Sequence, residues 1–515
     1  MTQNTHLMTA LKVIVSILVV SAVVFGLIFF NVIQIPSLNL KGSAEQPLPP
    51  IIQTKVKRTQ APKNLTYKEL LDSGDNYTYK GEFDKALASY QKASEIVPKE
   101  VVPYEKIGNV FMSQKAYQYA LQNFDFAVNL SPQNAALKIK AVKSLLGLRK
   151  VLDAKTRLAQ MTPETQTSAY YQGLIAAFLN EQDNAKNFLI KSLTLGNDEA
   201  IKTNAQRILT VYRDFELARD GKIEFLQAML AQAFDQVGEY GLSIELAFNA
   251  LKTQHDYRDV WIVLGHAFLN EQKWSDAEDA LKKAIDLDSN HPAGYFYRGI
   301  ALRNQKKYTA AIADFEQALK LGWQPRILAK QYIADTYFDL GDFEKAFPLY
   351  KEAVLTDTSD IRRFIRPLAL AINHLKQPKE ALILGLKAIE THPGSAMSFN
   401  LLGWAEFSND DFTNARTHLK KALTIDPELS EAYLNLGQLE ENQKNYKQAL
   451  SYYETAISIS QKSGNDSVGA TAGLKYDHLK STPLPTPINL SPNAPALETL
   501  LDDAQLDSIP SLSLL

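Results

Sequence analysis

From about residue 67 to 463 the chain alternates amphipathic segments of helical period with short polar breaks, and its apolar and small positions recur at one spacing. Gly74, Tyr77, Gly81, Phe83, Ala86, Tyr90, Ala93 and Pro98 return 34 positions later as Gly108, Phe111, Lys115, Tyr117, Ala120, Phe124, Ala127 and Pro132. Only Gly81 and Lys115 differ in class. Trp261, Leu264, Gly265 and Phe268, then Trp274, Ala277, Leu281 and Ala284, have the same grammar, followed at the same spacing by Tyr295, Gly299, Leu302, Tyr308, Ala311, Phe315 and Ala318. Phe399, Leu402, Gly403, Phe412, Ala415, Leu419, Ala422 and Pro427 are matched in turn by Tyr433, Leu436, Gly437, Tyr446, Ala449, Tyr453 and Ala456. Small residues such as Gly265 and Ala277 belong where two helices cross closely, larger ones fill the layer between units, and Pro98, Pro132, Pro393 and Pro427 stop each second helix.

The pattern predicts helix pairs at 67–100, 101–134, 258–291, 292–325, 327–360, 362–395, 396–429 and 430–463, with less regular units at 135–165, 166–199 and 224–257. Residues 200–222 fit no unit and are read as an extra helix or a joint. The expected fold is all-α: an N-terminal array over 64–199, an irregular joint at 200–223 and a C-terminal array over 224–463. No unit can bury its apolar face alone, so stacking carries the stability. Pro367 falls inside a first helix and predicts a kink or a late start.

The ends have other patterns. After a short tail (1–12), residues Val13–Ile35 form an uncharged apolar run long enough to cross a hydrocarbon core of about 30 Å, and its length and the lack of a small-residue cleavage site favour an uncleaved anchor. Residues 36–63 hold Pro36, Pro47, Pro49, Pro50 and Pro62 and read as a semi-extended spacer. Residues 464–491 are rich in Gly, Ser, Thr and Pro and read as a disordered linker within a 464–515 tail. In that tail Leu497, Leu500, Leu501 and Ala504 share one helical face, as in a partner-binding or self-docking segment.

Composition narrows the chemistry. With 55 Lys plus Arg against 57 Asp plus Glu, the near-balance argues against broad binding to nucleic acid. The absence of cysteine removes disulfides, Cys-ligated metals and thiol nucleophiles. The 8 histidines show no metal-ligand spacing, and no phosphate-binding or nucleophile-elbow motif occurs. No catalytic residue, metal or cofactor is expected. Within the stretch 260–290, Glu271, Asp276 and Glu278 fall at variable positions and are expected at the surface, Asp276 capping a helix.

These residues resemble the tetratricopeptide repeat, whose W-x2-L-G-x2-Y, then A-x3-F, then P signature they follow over residues 64–463. The resemblance implies a superhelix whose first helices line a concave face that binds peptides or proteins. On that face it places Arg363, Arg366, Leu370 and Asn373; Met397, Asn400, Trp404 and Phe407; and Phe296, Ile300 and Arg303. Arg363, Arg366, Asn400, Trp404, Phe407 and Phe296 are the expected peptide-binding residues, for an acidic or C-terminal segment of a client or the chain's own Leu497–Ile509.

An anchor before such repeats resembles bacterial envelope proteins with accessory roles in assembly, secretion or envelope biogenesis, and implies a single-pass membrane scaffold with extracytoplasmic repeats. A mitochondrial outer-membrane import receptor is the alternative. Its chaperone clamp is not matched, since the corresponding positions hold Leu71, Asp75, Lys106, Ala136 and Lys140. A third reading is a regulator of an envelope enzyme.

Overall fold

The computed structural model describes residues 65–218, 221–463, 466–481, 509–510 and 512, and every regular element among them is helical. The expected anchor Val13–Ile35, the spacer and the amphipathic stretch Leu497–Ala504 lie outside these residues. Among the described residues no helix is long and apolar enough to cross a membrane.

Each unit is a helical hairpin, as in Tyr67–Tyr79 with Phe83–Ile96, Arg258–Asn270 with Trp274–Leu287, and Ser430–Asn442 with Tyr446–Ser463. What lets the two helices of such hairpins meet is a glycine in the first, filled by the residue sixteen positions on in the second; Val142, Ala231 and Ala334 hold that position elsewhere. A Cβ on Gly74 would lie 2.3 Å from the Tyr90 ring, on Gly108 2.5 Å from Phe124, on Gly265 2.4 Å from Leu281 and on Gly437 2.4 Å from Tyr453. Gly265→Val is therefore expected to overpack the crossing and lower stability by roughly 1–3 kcal/mol, read as a lower urea midpoint with unchanged helicity.

The turn between the helices uses one left-handed residue. Gly81, Lys115, Arg149, Asn180, Gly238, Gln272, Lys306, Gly341, Lys376, Asp410 and Lys444 hold this position with φ between 53° and 81°. Gly81 and Lys115 are thus the same backbone element, although they differ in class. A side chain there strains the backbone, so replacing exposed Lys444 (φ 63°) with glycine is expected to stabilise the last hairpin by about 0.5–1 kcal/mol, seen as slower amide exchange over residues 430–463.

Three regions refine the sequence reading. Residues 199–218 form one helix, Glu199–Ala218, which buries Ala205, Ile208 and Tyr212 in a core that continues without a break from Ala86 to Ile333. A helix, Asp466–Ser481, stands where a disordered linker was expected. It brings Val468, Ala472 and Leu479 into a core with Leu434, Ala449 and Tyr453, and so covers the apolar face that the last hairpin leaves open. Around Pro367 the first helix divides into a 3-10 turn Ile361–Phe364, an α-turn Ile365–Ala369 and a π-turn Leu370–His374, consistent with the backbone donor that proline lacks.

Candidate peptide-binding groove

Consecutive first helices lie side by side, and their polar side chains meet at a fixed offset. Lys106 Nζ donates to Asp75 Oδ1 at 2.6 Å, Lys140 Nζ to Asn109 Oδ1 at 2.8 Å and Arg366 NH1 to Asp335 Oδ1 at 2.7 Å, while His266 Nδ1 lies 2.9 Å from Asp235 Oδ1. Every pair is 31 residues apart, one repeat less three residues of helix. In two of these sets the tyrosine fifteen residues after the acid joins in. Tyr90 Oη donates to Asp75 at 2.6 Å and Tyr350 Oη donates to Asp335. Lys106 and Lys140, at two of the clamp positions, are thus committed to neighbouring repeats.

The superhelix also turns back on itself. Tyr117 Oη donates to Glu271 Oε1 at 3.0 Å, Arg149 NH1 meets Glu245 Oε1 at 2.7 Å and Tyr171 Oη donates to Glu239 Oε1 at 2.9 Å. Lys115, Tyr117, Lys143, Glu239, Tyr240 and Glu271 line a cavity of about 200 Å³ along this seam. Desolvation raises the Glu239 carboxyl above the ordinary range, against the Tyr171 hydrogen bond and the charge of Lys143. Glu271 is therefore no solvated surface residue, since its side chain keeps 9% of its exposure. Glu278 is paired with Lys307 at 2.8 Å, and Asp276 lies within the first turn of Trp274–Leu287, whose Lys273 cap makes no side-chain bond.

Beside the seam stands His266, 2% exposed and edge-on to Tyr297 and Tyr240 at ring-centroid distances of 5.0 and 6.5 Å. Burial pushes the Asp235 carboxyl up, with His266 opposing the shift. The other ring nitrogen, Nε2, lies 2.9 Å from the carbonyl oxygen of Pro510. A carbonyl only accepts, so Nε2 carries the proton. Leu512 is 3% exposed and joins the core that includes His266's neighbours Val263 and Ala267, and Ile509 packs against the same core. The Pro510 carbonyl thus meets the first helix of repeat 258–291.

The residues expected to bind peptide are placed differently. Phe296 is 0% exposed and stacks on Trp323 at 4.1 Å; Trp404 and Asn400 are 0% exposed, and Phe407 is 7% exposed. Asn400 accepts from Asn435 Nδ2 at 2.9 Å. Neighbouring repeats cover these positions, which leaves almost no surface for a client. Arg363 is paired with Asp357 six residues earlier, and Arg366 turns inward to Asp335 and Tyr350. The Pro510 contact is instead at His266, one repeat before Phe296, three before Arg363 and Arg366, and four before Asn400, Trp404 and Phe407. Its sequence signal was Asp235 and His266 at the 31-residue spacing. Among the described residues no group of three or more His, Asp or Glu is placed to hold a metal ion.

Family profiles described as tetratricopeptide repeat or TPR repeat match residues 74–115, 111–178, 262–324, 332–360 and 400–466, together just over half of the chain. The TPR repeat-containing protein MJ1428 of Methanocaldococcus jannaschii is 20% identical over 298 residues, which is 57% of this chain and 50% of that protein. Anaphase-promoting complex subunit 3 of Schizosaccharomyces pombe is 28% identical over 189 residues, 36% of this chain and 27% of its own. The chain therefore spans half or less of the length of these relatives. Among solved structures, YrrB, described as a TPR protein with an unusual peptide-binding site, is 22% identical and covers 37% of this chain and 96% of its own, with a TM-score of 0.32. Yeast Tom70 is 18% identical and covers 80% of this chain and 95% of its own, with a TM-score of 0.30. With a 34-residue period, glycine-notched hairpins and family profiles matched over just over half of its residues, the chain belongs to the tetratricopeptide-repeat proteins.

Proposed function

We propose that the chain is a non-catalytic, membrane-tethered scaffold that captures an extended apolar segment of a partner protein on the wall of first helices around His266. The observation that carries the reading is the Pro510 carbonyl on His266 Nε2, with Leu512 buried two residues on, because a directed donor and aliphatic burial are what an extended apolar segment needs. The uncharged run Val13–Ile35 supports the tether, and the proposal sets the repeats outside the cytoplasm in an envelope role. The import-receptor alternative finds less support, because Lys106 and Lys140 are already paired with Asp75, Glu105 and Asn109.

A photoreactive residue in place of Asn270, on the same helix as His266, should capture a partner in intact cells. The same residue in place of Leu386, exposed on the second helix Pro378–Thr391, should not. Equal capture at both positions would remove the groove from the reading. Carbonate washing should leave the chain in the membrane pellet, and its release would remove the tether. Protease added to spheroplasts should digest the repeats, whereas protected repeats would reverse the orientation.

A further inference from the structure

We infer that the seat at His266 recognises an extended aliphatic–Pro–x–aliphatic segment and that the chain's own Ile509, Pro510 and Leu512 are its resident occupant, so that a partner binds by displacing them. The inference rests on the groove reading above and adds the chemistry of the ligand and a competitor built into the chain. Proline has no backbone donor and holds its neighbour extended, so a segment passing through Pro510 presents carbonyl acceptors. His266 supplies the matching donor: Asp235 engages Nδ1, which leaves Nε2 aimed at the Pro510 carbonyl at 2.9 Å. The flanking positions are aliphatic, Leu512 being 3% exposed and Ile509 packed against the same core, so specificity comes from one directed hydrogen bond between two apolar contacts.

The covalent tether gives the occupant its advantage. A linked segment acts at an effective concentration of the order of millimolar, so an external peptide of micromolar affinity competes poorly until the tail is removed or is outnumbered. The helix Asp466–Ser481 closes the last repeat without any contribution from Ile509, Pro510 or Leu512, so the tail can leave without opening the end of the solenoid.

The test uses a fluorescent peptide of residues 505–515 (QLDSIPSLSLL) and two forms of the protein in detergent, the intact chain and one ending at Ser508. The shortened chain should bind the peptide at least tenfold more tightly than the intact chain. Leu512→Asp in the intact chain should reproduce the shortening, because a carboxylate cannot replace the buried aliphatic group. The same change in the peptide should weaken binding at least tenfold, and a photoreactive group at its Leu512 position should label the tryptic fragment that holds His266. Equal affinity for the intact and shortened chains would overturn the resident occupant while leaving the groove reading standing. Peptide binding by neither chain would remove both. Sedimentation should find the intact chain monomeric, and a dimer dispersed by Leu512→Asp would show that the segment comes from a second copy and overturn the intramolecular contact.

Discussion

Arg366→Ala is expected to lower stability by about 3–5 kcal/mol, whereas Lys106→Ala should cost about 1 kcal/mol or less, although both residues sit at the same position of the same motif. Each donates to an acid 31 residues earlier that also accepts from a tyrosine, Tyr350 in one case and Tyr90 in the other. The difference is burial. The Arg366 and Asp335 side chains keep 12% and 8% of their exposure, against 34% and 48% for Lys106 and Asp75. Removing the arginine strands a carboxylate in the core, with only the Tyr350 hydroxyl left to it among the bonds described here. Removing the lysine returns Asp75 to water. The guanidinium also lies 5.1 Å from the Phe338 ring centroid, a contact that alanine forfeits. Chemical denaturation of the two variants and of Arg363→Ala, whose Asp357 partner is 39% exposed, checks the ordering. Equal losses for Arg366→Ala and Lys106→Ala would mean that burial does not set the strength of this motif.

That contrast also shows which parts of the molecule a sequence reveals. The hairpins were legible because packing constraints repeat: Gly265 and Leu281, or Gly437 and Tyr453, must complement each other sixteen residues apart wherever the hairpin recurs. The neighbour relation between first helices was equally periodic, at 31 residues, but it is written in polar residues whose identity changes from Asp–Lys to Asp–His to Asp–Arg, and apolar patterning passes over it. Concave positions were read as open because a single repeat leaves them so. In the array the adjacent first helix covers Asn400 and Trp404. Asp466–Ser481 escaped notice for a different reason. A terminal cap meets only one neighbour, so it need not carry the two-sided signature, and its Gly469 and Gly473 read as linker. The tail contact joins residues 244 apart in the chain, beyond the reach of any local pattern.

Trp404→Ala should cost about 3–5 kcal/mol and open the array locally rather than melt it as a whole. Trp404 is among the largest fully buried side chains, in a core with Leu368, Leu401, Leu436 and Leu439 that joins the repeats either side of it. Its loss leaves a cavity at the junction of three hairpins, and in a solenoid only neighbouring units feel such a loss directly. Hydrogen exchange should therefore speed up over residues 362–442, while amides of 67–134 and of the His266 helix Arg258–Asn270 keep their protection. Trp404→Phe separates shape from polarity, because the indole Nε1 is buried without a hydrogen-bond partner, so exchanging it for a smaller ring sheds an unsatisfied donor along with volume. The phenylalanine variant is expected to lose less than half of what alanine loses. If peptide binding at His266 survives Trp404→Ala, the groove and this junction are energetically separate units. Protection lost evenly from residue 67 to residue 463 would instead mean that the repeats unfold as one body and that nearest-neighbour stacking does not govern this array.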